Sequence, residues 1–152
     1  MKQQPTVNDT MKTFGYPATV IADYGCWTAL LRPQQPTLGA LVLVCKEPAA
    51  HFSAISGDAF QELKQVTADI EGVLGSAFGF DKINYLMLMM VDPDVHFHVL
   101  PRYAEEKEFA GVRFPDPGWP RVPDLGQAVT LDDGLRDRLV AFLRDRWPGE
   151  RA

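Results

Sequence analysis

The sequence predicts an α+β fold, an antiparallel sheet meander with one amphipathic helix in its middle and a second helix near its C-terminal end. Three observations predict it. β-Prone runs come in pairs separated by turn chemistry. The stretch 58–78 repeats apolar residues at the helical period. The stretch 91–103 alternates its side chains at the strand period. A chain of 152 residues suits one domain, expected to span 1–152, with a core of about 14–103 and a Pro-rich loop and C-terminal helix over 104–148. Hydrophobic content of 46% and charged content of 23% are those of an ordinary globular protein. A net charge of −5 argues against nucleic acid polymers as partners, while a local positive site could still hold a small anion. No apolar run is long enough for a membrane span, so no membrane partner is expected. Met1-Lys2-Gln3-Gln4-Pro5 lacks the apolar core of a signal peptide. Cys26 and Cys45 form no C-x-x-C motif and each lies in an apolar segment. Buried free thiols in a reducing cytoplasm are the expectation.

The elements follow in order. Met1 to about Lys12 is polar and expected to be loose. Ala18–Ala22 is a short β-prone run. Cys26–Leu31 reads as a strand, Arg32–Thr37 as a turn, and Leu38–Cys45 as a return strand buried on both faces. Lys46–Gly57 is a connector that contains His51. Asp58 offers an N-cap, with Gln61 as its capping-box partner. Phe60, Leu63, Val66, Ile70, Val73, Leu74 and Ala77 then share one helix face, and the helix ends near Gly79. Ile83–Val91 reads as a buried strand rich in methionine, turning at Asp92-Pro93 into the next strand. Phe114–Pro123 holds four of the twelve prolines and one tryptophan, so it is neither helix nor central strand. Leu131–Trp147 reads as the terminal helix, with Thr130 as N-cap and Leu135, Leu139, Phe142 and Leu143 on one side.

The stretch Val91–Tyr103 carries the chemistry. It holds two of the three histidines, two positions apart. Strand alternation predicts Asp94, His96, His98 and Leu100 on one face and Val95, Phe97 and Val99 on the other. A bare H-x-H is as often half-exposed surface as a site. Here an acid adjoins the pair, the ionisable residues repeat at the strand period, and the preceding run is apolar. A polar face on an otherwise buried strand is costly without a use.

His96-Phe97-His98-Val99-Leu100-Pro101-Arg102 resembles the signature of the histidine triad (HIT) superfamily, three histidines alternating with hydrophobic residues and often followed by Pro-Arg. Asp94 stands where the first histidine is expected; some bacterial members carry Gln there. The order of elements over Cys26–Tyr103 is similar to the family's, and Trp119-Pro120 is a looser likeness. The resemblance implies a HIT-like fold and a nucleotide phosphohydrolase or nucleotidyl transferase, acting on phosphoanhydride or phosphoramidate bonds without a cofactor. By position, His96 is the nucleophile on the α-phosphate, forming a covalent nucleotidyl-histidine, and His98 contacts phosphate oxygens. Asp94 would repel a phosphate unless protonated or paired, or would donate a proton to the leaving group if burial raises its pKa. Arg102, Arg32 and Trp119 are further substrate-binding candidates; Arg32 stands where many members carry an acidic residue for the ribose hydroxyls. The polar loop that family hydrolases place before the triad is expected to be missing, because Met89-Met90-Val91-Asp92-Pro93 leaves no room for it. The implied partners are a nucleotide or other small phosphorylated ligand and a second copy of the chain in a homodimer. Two alternatives stay open. One is a HIT-like nucleotide- or phosphate-binding protein with weak or no catalysis. The other is a metal site of Asp94, His96 and His98, with His51 or Asp92 contributing.

Overall fold

The structure is a computed structural model that describes residues 7–151. Its centre is a five-stranded antiparallel sheet in the order β1-β2-β4-β6-β5, with β1 at Val20–Asp23, β2 at Trp27–Leu31, β4 at Leu41–Cys45, β5 at Lys82–Leu86 and β6 at His96–Arg102. The short β3, Gln34–Gln35, pairs with β9, Val129–Thr130. A small hairpin joins β7, Lys107–Phe109, to β8, Val112–Phe114. The α+β meander is therefore present. β2 and β4 are buried along their whole length, as their unbroken apolar runs require.

One sheet face carries the main core. Ala29, Leu31, Leu41, Leu43, Val95 and Val99 pack there against two helices, α2 at Gly57–Phe78 and α3 at Asp133–Arg146. The Trp27 indole N–H donates to the Ala59 carbonyl of α2 at 2.8 Å. The C-terminal end closes on the same side. Trp147 Nε1 donates to the Tyr24 hydroxyl, which donates to Asp69, and Arg151 pairs with that carboxylate.

The opposite face is covered by a helix that the sequence did not suggest. α1, Asp9–Thr13, lies in the stretch expected to be loose; the part of that stretch before residue 7 lies outside the described residues. Asn8 caps α1 by accepting from the Met11 N–H, and its amide donates to the Cys45 carbonyl. Met11 is buried against Leu30, Val42 and Val44, with Phe14 and Tyr16 beside it. One methionine and two aromatic rings in a polar stretch thus bury enough apolar surface to hold a short helix that propensity alone would not.

Other boundaries shift for local reasons. Ser56, not Asp58, caps α2, because Glu47 accepts its N–H and hydroxyl and leaves its oxygen facing the Ala59 N–H. Asp132, not Thr130, caps α3, because Thr130 is taken up by β9. The strand expected over Ile83–Val91 stops at Leu86, whose pairing with His98 is the last between β5 and β6, and it is half-buried. The chain leaves the sheet there in a loop, 87–95, where a short turn was expected. Met89 in that loop has φ +47°, a left-handed conformation that non-glycine residues rarely adopt. Among the described residues no helix is long and apolar enough to cross a membrane.

Candidate functional site: a histidine pair beneath the N-terminal helix

β6 pairs His96 with Val44 and His98 with Val42, so both imidazoles lie on the face opposite α2 and α3. Their exposures are 1% and 7%, and their ring centroids are 5.1 Å apart. Phe14, just past α1, closes over them at 6.2 Å from His96 and 5.7 Å from His98. His96 Nδ1 lies 2.6 Å from the Asp94 carbonyl oxygen. A carbonyl only accepts, so Nδ1 carries a proton, and the tautomer this selects has its lone pair on Nε2.

His98 is held differently. Its Nδ1 is buried without a hydrogen-bond partner among the described residues. Burial above all, then the nearby Arg32 charge and then His96, push its pKa down to about 4. It is therefore a neutral ring at pH 7. Arg32 follows β2 and donates from Nη1 to the Gln34 carbonyl at 2.8 Å, while its Nε is buried without a partner among the described residues. Burial lowers its pKa from the ordinary value. Two cavities of about 230 Å³ each share Phe14 and Arg32 as lining. One extends to Thr13, Pro33 and Gln34. The other holds both histidines, Leu88, Met89, Met90, Val91 and Asp92 of loop 87–95, and Leu125.

Asp94 corrects the expectation of a shared polar face. The β6 ladder starts at His96, so strand alternation does not reach back to residue 94. The Asp94 carboxylate turns instead to α1 and accepts from the Thr10 N–H at 3.2 Å and the Thr10 hydroxyl at 2.8 Å. It does not line the histidine cavity. What Asp94 brings to the pair is its carbonyl.

Arg32 is brought to the histidines; Arg102 and Trp119 are not. The Arg102 guanidinium makes two bonds to Asp116, at 2.7 and 3.0 Å, and a third to Asn84 at 2.8 Å. Both side chains of the ion pair are buried, at 4% and 1% exposure. This pair docks the Pro-rich loop on β6. Trp119 lines a separate cleft of about 680 Å³ beside β5, together with Lys82, Tyr85, Arg102 and Arg121. His51 is exposed at the start of a single 3-10 turn. Among the described residues no three His, Cys, Asp or Glu side chains converge as a metal site, which corrects the Asp94–His96–His98 alternative. A loop rather than a short turn precedes the histidines: 87–95 borders the pair through Leu88, Met89, Met90, Val91 and Asp92, without the Gly, Gln or Ser of the polar loop expected to be missing. Sequence reasoning missed Phe14, Thr10 and Leu125. The one signal for the first was an aromatic residue beside Gly15 at the edge of a polar stretch.

No protein-family model matches the sequence, and no curated protein matches it. Solved structures do. A histidine triad protein from Sinorhizobium meliloti superposes with a TM-score of 0.72 at 20% identity, over 93% of this chain and 96% of that one. One from Bradyrhizobium japonicum gives 0.71 at 19% identity, over 93% and 97%. A hypothetical histidine triad nucleotide-binding protein from Sulfolobus tokodaii gives 0.64 at 16% identity, over 84% and 82%. At these identities the likeness speaks for the fold. With its antiparallel sheet, its two long helices on one face and its histidine strand second from the edge, this chain has the fold of the histidine triad proteins.

Proposed function

We propose that this protein is a nucleotide phosphohydrolase or nucleotidyl transferase of the histidine triad type, working through a covalent nucleotidyl-histidine on His96. The observation that carries the reading is the 2.6 Å contact between His96 Nδ1 and the Asp94 carbonyl. It orients the ring and leaves Nε2 as a nucleophile. Nε2 attacks the α-phosphorus, the N–P bond forms, and the bond to the leaving group breaks. The leaving group departs with that electron pair and takes up a proton. Water then attacks the phosphorus, the N–P pair returns to Nε2, and a nucleoside monophosphate is released; another acceptor in place of water makes the reaction a transfer. Arg32 supplies positive charge toward the phosphoryl oxygens, and His98 donates an N–H to them. A nucleotide ligand agrees with the description of the Sulfolobus tokodaii protein as nucleotide-binding.

Binding without turnover is the second reading, favoured by the 1% exposure of His96 beneath Phe14. The test is a panel of nucleoside phosphoramidates, dinucleoside polyphosphates and adenylates, with mass spectrometry of the protein and a His96→Ala control. Release of a nucleoside monophosphate with a transient adduct on His96 supports the enzyme. Binding with no release establishes the second reading, and neither outcome on any compound removes both. The reading includes a homodimer that joins sheets through β5, whose outer edge has no strand partner among the described residues. Light scattering that returns a stable monomer would count against that part.

A further inference from the structure

β5 ends the sheet, and the cleft of about 680 Å³ beside it is lined by every residue of Lys82–Leu86. Successive side chains of a strand point to opposite faces, so a cleft that touches them all follows the backbone edge. Its other wall is the run Trp119–Pro123 of the Pro-rich loop. Pro120 and Pro123 have no N–H to give, and this run borders the edge of β5 without pairing with it. The buried Arg102–Asp116 ion pair fixes the loop on the sheet and so holds the groove open at a set width. A strand as short as β5 spans roughly 17 Å, the reach of a short extended peptide.

The groove is positive on a chain whose net charge is −5. Arg102 is neutralised by Asp116. Lys82 and Arg121 have no ion-pair partner among the described residues, and no carboxylate lines the groove. The acids nearby are engaged elsewhere: Asp81 accepts from the Ala104 N–H and Glu71 from the Tyr85 hydroxyl. Alternation along β5 separates two kinds of position. Lys82 and Asn84 share the face of Arg102, which donates to Asn84 Oδ1. Ile83 and Tyr85 lie on the other face, against the main core.

We propose that the groove takes an acidic extended segment of another protein, added to β5 as a further strand of the sheet. Its carboxylates stand at alternate positions toward Lys82 and Arg121, and the apolar residues between them lie beside Ile83 and Tyr85. The backbone of β5 supplies the affinity through ladder hydrogen bonds, and the two cations supply the choice of partner. A second copy of the chain also fits the edge, but its β5 brings a further Lys82 to a strip that is already positive. The acidic segment and the homodimer therefore compete for one strand. The inference does not depend on the chemistry at His96, which lies outside the groove.

The test titrates the isotope-labelled full chain with a short capped peptide that alternates glutamate and valine, read by nuclear magnetic resonance. The amide resonances of Lys82–Leu86 and the Trp119 indole are expected to shift. The peptide is expected to bind roughly tenfold more tightly than its counterpart of alternating lysine and valine. Alternate N–H groups of an added strand face β5, so methylating either the glutamate or the valine amide nitrogens is expected to weaken binding about fivefold for one of the two sets. The Lys82→Glu/Arg121→Glu double variant is expected to reverse the charge preference, with circular dichroism to establish that it is folded. Lys82→Gln/Arg121→Gln takes its place if charge reversal unfolds the chain, and is expected to abolish the preference. Equal binding of the two peptides, shifts at His96 and His98 in place of β5, or no binding at millimolar peptide overturns the inference. Light scattering separates it from the homodimer. A dimer that the acidic peptide dissociates upholds it, and a dimer that excludes the peptide assigns the edge to the second copy and overturns it.

Discussion

The carboxylate of Asp94 accepts both the backbone N–H and the hydroxyl of Thr10, and the carbonyl of the same residue accepts Nδ1–H of His96. One residue therefore holds the N-terminal helix on the sheet and sets the tautomer of the ring beneath it. The aspartate does structural work at the position where a first histidine was expected.

Asp94→Ala should destabilise the fold by about 1–3 kcal/mol, the usual effect of losing hydrogen bonds to a charged group. Thr10→Val should cost less, because the backbone N–H still donates. In a double-mutant cycle by denaturant unfolding, the combined loss should fall short of the sum. Full additivity would mean that the two side chains do not stabilise each other.

Phe14→Ala should open the imidazoles to solvent. Diethylpyrocarbonate should then modify His96 and His98 several-fold faster than in the wild type, with exposed His51 as the internal reference. Equal rates in both proteins would show that Phe14 does not limit access to the pair.

His98 makes stability depend on pH in a defined direction. Its folded pKa of about 4 lies below the ordinary 6.5, so on acidification the unfolded chain binds its proton first. The contribution is present in full above about pH 6.5 and is lost as pH falls toward about 4, amounting to at most about 3 kcal/mol. His98→Asn should flatten the stability curve in that window. A bound phosphate would oppose the Arg32 effect and raise the pKa. Ligand binding near pH 7 should therefore take up a proton, seen as buffer-dependent heat that the variant lacks. Heat independent of the buffer would contradict this.

Asp116→Ala removes the partner of a buried guanidinium. A loss of about 3–5 kcal/mol is expected, since Arg102 would remain charged and enclosed. Arg102→Met with Asp116→Leu should recover much of it. A single variant as stable as wild type, by thermal unfolding, would show that the Pro-rich loop is held by other contacts.

The elements legible in the sequence are those whose partners are local or periodic. α2 announced itself through seven apolar positions at one spacing, and the faces of His96, Phe97 and His98 followed from alternation. Asp94 failed the same rule because alternation holds only within a paired ladder, and Thr10 lies 84 positions away. Arg102 looked free for a ligand because nothing in its own segment marks Asp116 as its partner. Met87–Val91 looked buried because an apolar run usually is, whereas three of its five residues, Leu88, Met90 and Val91, face solvent. α1 was invisible because its stability comes from Met11 seated on Val42 and Val44, a contact that no local pattern encodes.

The bond between Asp94 and Thr10 also bears on how such a chain can change through descent. A histidine introduced at position 94 could restore a third imidazole, yet it would strip Thr10 of its acceptor and loosen the cover formed by Met11 and Phe14. A compensating change near position 10 would have to come with it or before it. The two positions are thus epistatic: residue 94 cannot be changed alone without loosening the N-terminal segment that Thr10 anchors.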